Sequence, residues 1–126
     1  MFECGICGYQ ACTTAYNQCE AWLDELLSVL QANKLCVQRF MAKHFPQIRI
    51  YDLEGTYLMW MDFSALDMSP EELSNFLQKE AYLFLDEGQI FGEQGAGFVR
   101  WNIACPTTVL QAGLERLYHA WQNHQT

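Results

Sequence analysis

Residues 91–106 read FGEQGAGFVRWNIACP, in which a glycine-rich loop leads into a run of strand-forming residues. Successive side chains of a strand point to opposite faces of its sheet, so this strand has two different faces. One face carries Phe98, Arg100 and Asn102, and the other carries Val99, Trp101 and Ile103. The second face is apolar throughout. This pattern predicts a strand that packs on a core with one side and presents an arginine on the other.

Four helices are predicted around this strand. Pro106 opens the last of them, whose apolar stripe consists of Leu110, Leu114, Leu117 and Trp121. A long helix is predicted over residues 13–33 and a second over residues 34–44, with Asn33 as the boundary between them. Pro46 ends the second helix, because the residue before a proline is pushed out of the helical region. Ser69 and Glu72 form the capping box of a further helix that runs to about residue 80.

Strand patterns occupy the segments between the helices. They fall at residues 48–51, 56–63, 83–85 and 98–103. The order of elements, α-α-β-β-α-β-β-α, predicts an α+β fold in which a small, mostly antiparallel sheet is covered by helices. The length of 126 residues fits a single domain over residues 1–126, and no internal repeat divides it.

The composition excludes several classes of protein. Hydrophobic residues make up 51% of the chain and charged residues 17%, which argues against intrinsic disorder. Seven basic against fifteen acidic residues give a net charge of −8, which disfavours binding to a nucleic-acid backbone. No apolar run is nearly long enough to span a membrane. A secretory signal begins with basic residues, but no basic residue precedes Lys34. We therefore expect a cytoplasmic protein that binds neither nucleic acid nor membrane.

Six cysteines occur, and Cys4 and Cys7 form a C-x-x-C motif of the kind found in zinc and redox sites. A structural zinc site needs four ligands, and neither a second C-x-x-C nor a nearby histidine completes the set. The sequence favours reduced cysteines that serve as small apolar side chains, as is common for buried free cysteine. A cysteine-based metal site at the N-terminus is the alternative.

Arg100 invites a functional interpretation. An arginine buried in an apolar strand is costly unless its charge is paired. The planar guanidinium suits the carboxylate or phosphate of a ligand, but it suits an internal Asp or Glu equally well. The residues alone leave both alternatives open. The preceding glycines match neither a P-loop nor a dinucleotide-binding fingerprint, and no G-x-S-x-G or H-E-x-x-H motif occurs.

Several segments together resemble a known family. They are EGTYLMWMDF at residues 54–63, SPEEL at residues 69–73, FG at residues 91–92 and GAGFVRWNIACP at residues 95–106. In this order they resemble the C-terminal, small domain of class I/II pyridoxal-phosphate (PLP)-dependent aminotransferases, in the cystathionine β-lyase-like (C–S lyase) branch. The earlier segment with Tyr16, Trp22 and Leu27 resembles the long inter-domain helix of that branch, at about residues 11–33.

The resemblance implies that Arg100 binds the α-carboxylate of an amino-acid substrate, with Asn102 and the glycine loop as supporting elements beside it. An arginine that holds both carboxylate oxygens would position the substrate next to PLP. In this family of amino-acid-metabolising enzymes, PLP is the group that makes and breaks the substrate's bonds. No catalytic, cofactor-binding or metal-binding residue is expected in this chain alone.

The resemblance also implies what the chain lacks. The PLP-bearing lysine of the family lies in its large domain, which matches no segment here, and Lys34, Lys43 and Lys79 all fall on predicted helices. We therefore expect a C-terminal fragment of a PLP-dependent aminotransferase or C–S lyase that is inactive alone. Apolar surface meant for the large domain predicts a homo-oligomer such as a dimer. The alternative is a non-enzymatic interaction or dimerisation module of the same fold.

Overall fold

The computed structural model describes residues 5–125, which form four α-helices and a four-stranded sheet. The helices are α1 (Ile6–Gln18), α2 (Glu20–His44), α3 (Pro70–Asn75) and α4 (Thr107–His124). The strands are β1 (Arg49–Ile50), β2 (Leu58–Asp62), β3 (Asp86–Glu87) and β4 (Phe98–Asn102). The predicted α+β class and the predicted order of elements are confirmed.

The sheet has the order β1-β2-β4-β3, and each pair of neighbouring strands is antiparallel. Alternate residues of β2 and β4 are buried, so one face of the sheet forms the floor of the core. The helices cover this face, and Gly113 of α4 leaves room for the ring of Trp101. The opposite face of β4 is only partly buried. Arg100 lies on that second face.

The predicted boundary between the first two helices is wrong. The chain breaks at Cys19, whose backbone leaves the helical region, and α2 runs through Asn33 without interruption. Asparagine is a weak helix former, which is why it looked like a boundary. Here its side chain is fully buried and hydrogen-bonded to the end of β4 and the start of α4. The segment at residues 11–33 therefore spans the end of α1 and the first half of α2.

The predicted strand at residues 83–85 is displaced to β3, three residues later. Leu83 is buried in the core, but its N–H donates to the carbonyl of Leu77 in the preceding helical turn rather than to a strand. Pairing with β4 begins only where Asp86 lies opposite Arg100. The apolar run of residues 83–85 thus marks a core-packing segment that leads into a very short edge strand.

The capping box at the start of α3 is confirmed. The Ser69 side chain accepts a hydrogen bond from the N–H of Glu72, and the Glu72 carboxylate accepts one from the N–H of Ser69 at 2.8 Å. Hydrogen bonds from the side chain and the backbone of Ser69 to the Glu72 carboxyl group lower its pKa. The helix continues as a π-helical turn over Phe76–Glu80, which agrees with the predicted end near residue 80.

The first part of the described chain lies outside the core. No residue of α1 is buried. Along the described chain, which begins at Gly5, the first buried residue is Leu30, near the middle of α2. Several large apolar side chains of this helical arm, residues 6–29, are exposed: Ile6, Tyr9, Tyr16, Trp22, Leu23, Leu27 and Val29. Among residues 5–125, no helix is long and apolar enough to cross a membrane.

Candidate functional site

Arg100 lies at the centre of β4, between its neighbours Trp60 on β2 and Asp86 on β3. Because β4 is an inner strand of the sheet, its backbone is held by hydrogen-bonded partners on both sides. The Arg100 side chain is 31% exposed on the face away from the helices. The predicted alternation of this strand is confirmed, since Val99 and Trp101 are buried and Arg100 is not.

Two neighbours hold the guanidinium of Arg100. Its Nε and Nη2 atoms both donate to one carboxylate oxygen of Asp86, at 3.1 and 2.8 Å. The ring of Phe91 lies under its Cζ atom at 4.6 Å, a distance typical of a cation–π contact. Nη1 donates no hydrogen bond to any residue of the described chain. The arginine is therefore paired along one edge and available for an anion at its end.

Of the two sequence alternatives for Arg100, the internal acidic partner is observed. The internal partner, Asp86, exists, and its side chain is 44% exposed, so the pair lies at a surface rather than in a core. An arginine at a surface gains little stability from such a pair, typically about 0–1 kcal/mol. The pair orients the guanidinium but does not account for the presence of an arginine in this strand.

Aromatic side chains form the surroundings of Arg100. Trp60 stacks on Phe98 with ring centroids 5.6 Å apart, and Phe91 meets the edge of Trp60 at 5.8 Å. Tyr51 extends the cluster, with its ring centroid 6.3 Å from that of Phe98. Phe91 is half exposed. The arrangement gives the guanidinium an apolar floor next to solvent, where a charge interaction is screened less than in bulk water.

Asn102 lies on the same face of β4, but its side chain serves the backbone. Its Oδ1 atom accepts a hydrogen bond from the N–H of Ala104 at 2.8 Å, which closes a local turn at the end of the strand. The residue is exposed. Of the predicted supporting residues, Asn102 therefore shapes the end of β4.

The glycine-rich loop places Phe91 next to Arg100, and its path requires the backbone at Gly88 to lie very close to the backbone at Gly95. A Cβ atom at Gly88 would overlap the carbonyl oxygen of Gly95, and a Cβ atom at Gly95 would overlap the carbonyl group of Gly88. Gly97 has a φ of 81°, which favours glycine, and its carbonyl accepts from the N–H of Phe63 at 2.8 Å. Asp86 and Phe91 were not predicted as site residues, because their positions depend on this loop returning to β4.

Replacing Gly95 with alanine should destabilise the protein by about 2 kcal/mol, since the atom it adds meets backbone that cannot rotate away. Urea unfolding followed by circular dichroism measures this change. Gly55→Ala is the matched control, because nothing lies within 4 Å of a Cβ atom there. Equal midpoints for the two variants would contradict the proposed close approach.

Comparison with known proteins identifies the fold. The chain is 34% identical to cystathionine β-lyase PatB of Bacillus subtilis over 107 residues, which cover 85% of this chain and 28% of PatB. Cystalysin from Treponema denticola, whose structure contains a pyridoxal 5′-phosphate cofactor, matches with a TM-score of 0.90 and 42% identity. That match covers 94% of this chain and 30% of the cystalysin chain. The chain matches the C-terminal, small domain of the cystathionine β-lyase-like branch of the PLP-dependent aminotransferases.

A third relative agrees with this assignment. The PLP-bound C–S lyase from Staphylococcus hominis matches with a TM-score of 0.75 and 29% identity, over 84% of this chain and 28% of that one. The matched region is the small, C-terminal domain, so the chain spans roughly three tenths of the length of these C–S lyases. No family model matches the chain.

The three lysines of this domain lie on helical segments or pair elsewhere, away from the face that carries Arg100. The Nζ atom of Lys34 donates hydrogen bonds to Oδ1 of Asp52 at 2.8 Å and to the carbonyl of Leu53 at 3.0 Å. Lys43 and Lys79 are exposed on α2 and on the π-helical turn, whereas Arg100 lies on the face of the sheet away from the helices. Within residues 5–125, the surroundings of Arg100 described above therefore contain no lysine.

The cysteines fall into two groups. Cys7 and Cys12 are exposed, which is a correction to the prediction that they act as buried apolar side chains. Cys19, Cys36 and Cys105 are half-buried, and burial raises the pKa of the Cys105 thiol, which disfavours the reactive thiolate. No cluster of metal-ligating side chains occurs within the described part of the chain. Cys4, the other half of the C-x-x-C motif, lies outside the described residues.

Proposed function

We propose that this domain supplies the α-carboxylate-binding half of a PLP-dependent C–S lyase or aminotransferase, with Arg100 as the binding residue. The observation that carries the proposal is the free Nη1 end of a guanidinium that is otherwise fixed by Asp86 and Phe91. An amino-acid carboxylate meeting this end would accept two parallel N–H groups, from Nη1 and Nη2. The homology to PLP-bound enzymes supports the same role.

In this proposal the residues of the domain bind and orient the substrate. Arg100 holds the carboxylate, the rings of Phe91 and Trp60 exclude water from one side of it, and Asn102 lies at the rim. Fixing the carboxylate fixes the position of the α-carbon and of its amino group, which is a contribution of position rather than of bond chemistry. PLP, when bound by the rest of such an enzyme, supplies the stabilisation of negative charge at that carbon.

The partners of the domain follow from the same proposal. They are an amino-acid substrate, a large domain that holds PLP through its lysine, and a second copy of the chain. Neither binding of PLP nor turnover is expected of these 126 residues alone. Free cysteines at all five described positions are typical of a reducing compartment, and we propose the cytoplasm as the location.

The test is to supply the missing half in trans. The chain is mixed with PLP and with the large-domain portion of Bacillus subtilis PatB, produced as a separate polypeptide, to give what is called below the assembled enzyme. We expect the chain alone to leave the absorption spectrum of PLP unchanged and to release no 2-oxo acid from a cysteine S-conjugate. The assembled enzyme should co-elute as one complex and release it.

The same assay separates the two reaction types. Release of a 2-oxo acid and ammonia without an amino-group acceptor indicates β-elimination, whereas a requirement for a 2-oxo acid acceptor indicates transamination. Turnover by the chain alone would contradict the proposal, and so would a complex that co-elutes with bound PLP but turns over neither substrate type.

A further inference from the structure

A cavity of about 430 Å³ opens at the edge of the sheet, where β3 ends. β3 pairs only with Val99 and Arg100, so no strand lies beside Asn102 on this edge. The N–H of Ile103 donates to the carbonyl of Tyr57, just before β2, and neighbouring residues of a strand direct their N–H groups to opposite sides. The N–H of Asn102 therefore points toward the cavity, and it has no hydrogen-bond partner within residues 5–125.

Two arginines, Arg100 and Arg116, line this cavity. Arg100 lies on the outer face of the sheet, whereas Arg116 belongs to α4 on the helix-covered side, so the cavity reaches around the sheet edge. Arg116 is exposed and forms no ion pair with any described residue. A Cβ atom at Gly113, one turn earlier, would lie 3.9 Å from its Nη2 atom and 3.3 Å from the ring of Trp101. The absence of a side chain at Gly113 thus leaves the guanidinium close to the sheet.

The rest of the lining is largely apolar. It includes Tyr82, Leu83, Phe84, Leu85, Cys105, Val109 and Leu110. Phe84 is 90% exposed and Tyr82 75%, so two large rings lie uncovered at this edge. Tyr82 also has a φ of 53°, which is strained for a bulky residue, and such strain is typical of ligand-binding segments. Asp86 is the only acidic residue among the described lining residues, and it is paired with Arg100. The cavity is therefore apolar with an excess of positive charge.

We propose that this cavity holds the side chain of the substrate and that Arg116 is a specificity-determining residue, which binds a carboxylate at the end of that side chain. The inference rests on the proposed function, because it takes the α-carboxylate to be bound by Arg100. The guanidinium of Arg116 and the N–H of Asn102 are the donors available to the second carboxylate. The substrate class is then a cysteine S-conjugate whose apolar side chain ends in an acid.

The lining distinguishes this class of side chain from two others. An uncharged alkyl side chain would contact the apolar residues but leave both donors without a partner. A side chain that carries a second amino group would find only Asp86, one oxygen of which already accepts two hydrogen bonds from Arg100. Because Arg116 is exposed, solvent screens its charge, so we expect a preference of about tenfold for the acid rather than the far larger discrimination of buried polar sites.

Steady-state kinetics of the assembled enzyme test the proposal. S-(carboxyalkyl)-cysteines with two to five methylene groups are each compared with the S-alkyl-cysteine of equal chain length. We expect the acid to be preferred about tenfold in kcat/KM at one length, because the separation of the two arginines favours one span. Arg116→Gln should remove this preference by lowering kcat/KM for the acid. Arg39→Gln is the matched control, since Arg39 is exposed on α2, outside the cavity, and should keep the preference.

Two outcomes would overturn the role of Arg116 while leaving that of Arg100 intact. One is equal turnover of acid and alkyl conjugates at every length, and the other is a preference that persists in Arg116→Gln. Loss of turnover with every conjugate would instead contradict the proposed function, and binding is then measured directly.

The direct measurement of binding is NMR of the ¹⁵N-labelled chain alone. An acid of the series should shift the signals of the Asn102 N–H and of the Arg116 Nε–H, whereas the alkyl conjugate of equal length should shift neither. If no acid moves either signal, the proposal is overturned, whatever the assembled enzyme turns over.

Discussion

Replacement of Arg100 by leucine is expected to lower the kcat/KM of the assembled enzyme by about 100- to 1000-fold. A charged hydrogen-bonded pair that loses one partner typically costs about 3–4 kcal/mol, and each 1.4 kcal/mol is a factor of ten in rate. Arg100→Lys keeps the charge but loses the planar fork, so a smaller loss of about tenfold is expected. Steady-state kinetics with a cysteine S-conjugate measures both.

The control for this experiment is another arginine of the same sheet. Arg49 lies on edge strand β1, where its guanidinium sits over Tyr51 at 4.6 Å, and Arg49→Leu should change kcat/KM by less than about threefold. A substrate whose carboxylate is replaced by an amide gives a second readout. The unmodified assembled enzyme should reject the amide strongly, whereas the Arg100→Leu variant should treat acid and amide alike.

A merely structural role for Arg100 would give a different pattern. In that case the acid-to-amide preference would persist in the Arg100→Leu variant, and activity would fall only in proportion to the folded fraction. The exposed Asp86 pair is worth about 1 kcal/mol at most, so the variant should remain folded and bind the large domain. An unaltered preference in a folded, co-eluting variant would therefore remove Arg100 from the proposed role.

The fold could be predicted from the sequence where a pattern has a local cause. The capping box at Ser69, the alternation of residues 98–103 and the apolar stripe of α4 each depend on neighbours a few residues apart, and each is confirmed. Local signals failed where the deciding contact is distant. The edge strand β3 was predicted three residues too early. The prediction followed the apolar run that begins at Leu83, but Leu83 packs in the core, and strand pairing begins only where Asp86 lies opposite Arg100.

The candidate site was predicted only in its central residue. Motifs point to Arg100, but its guanidinium is fixed by Asp86 of the short edge strand β3 and by Phe91 of a loop whose path depends on contact between Gly88 and Gly95. No periodicity in residues 86–97 indicates that Asp86 and Phe91 return to the same side chain. Whether Arg100 pairs internally or binds a ligand could not be decided from residues alone, because one guanidinium can do both: Nε and Nη2 donate to Asp86, whereas Nη1 donates to no residue of the described chain.

Replacement of Asn33 by leucine is expected to lower the free energy of unfolding by about 4 kcal/mol, the largest effect on stability among the changes considered. Asn33 is fully buried in α2, and its Nδ2 donates to the carbonyls of Ile103 and Cys105, both at 2.9 Å. Its Oδ1 accepts from the hydroxyl of Thr107 at 2.8 Å. Leucine has a similar volume but leaves three polar groups unsatisfied, at about 1–3 kcal/mol each when buried.

Urea unfolding of three variants separates this network from helix propensity. Gln31→Leu, an exposed position two residues earlier in α2, should change stability by less than about 0.5 kcal/mol. Thr107→Val removes one hydrogen bond and should cost about 1 kcal/mol. A loss below about 1 kcal/mol for Asn33→Leu would mean that the two carbonyls find water instead, and that the network is not what joins α2 to β4.

The position of this network explains why its loss should reach the functional site. The two carbonyls held by Asn33 belong to Ile103 and Cys105, immediately after the strand that carries Arg100, and both are more than 60 residues away along the chain. Asn33→Leu should therefore weaken the carboxylate preference of the assembled enzyme even where the domain is still folded. Gly95→Ala, which disturbs the loop rather than the strand, should affect the same preference through Phe91, and the double variant should show whether the two supports of Arg100 act independently.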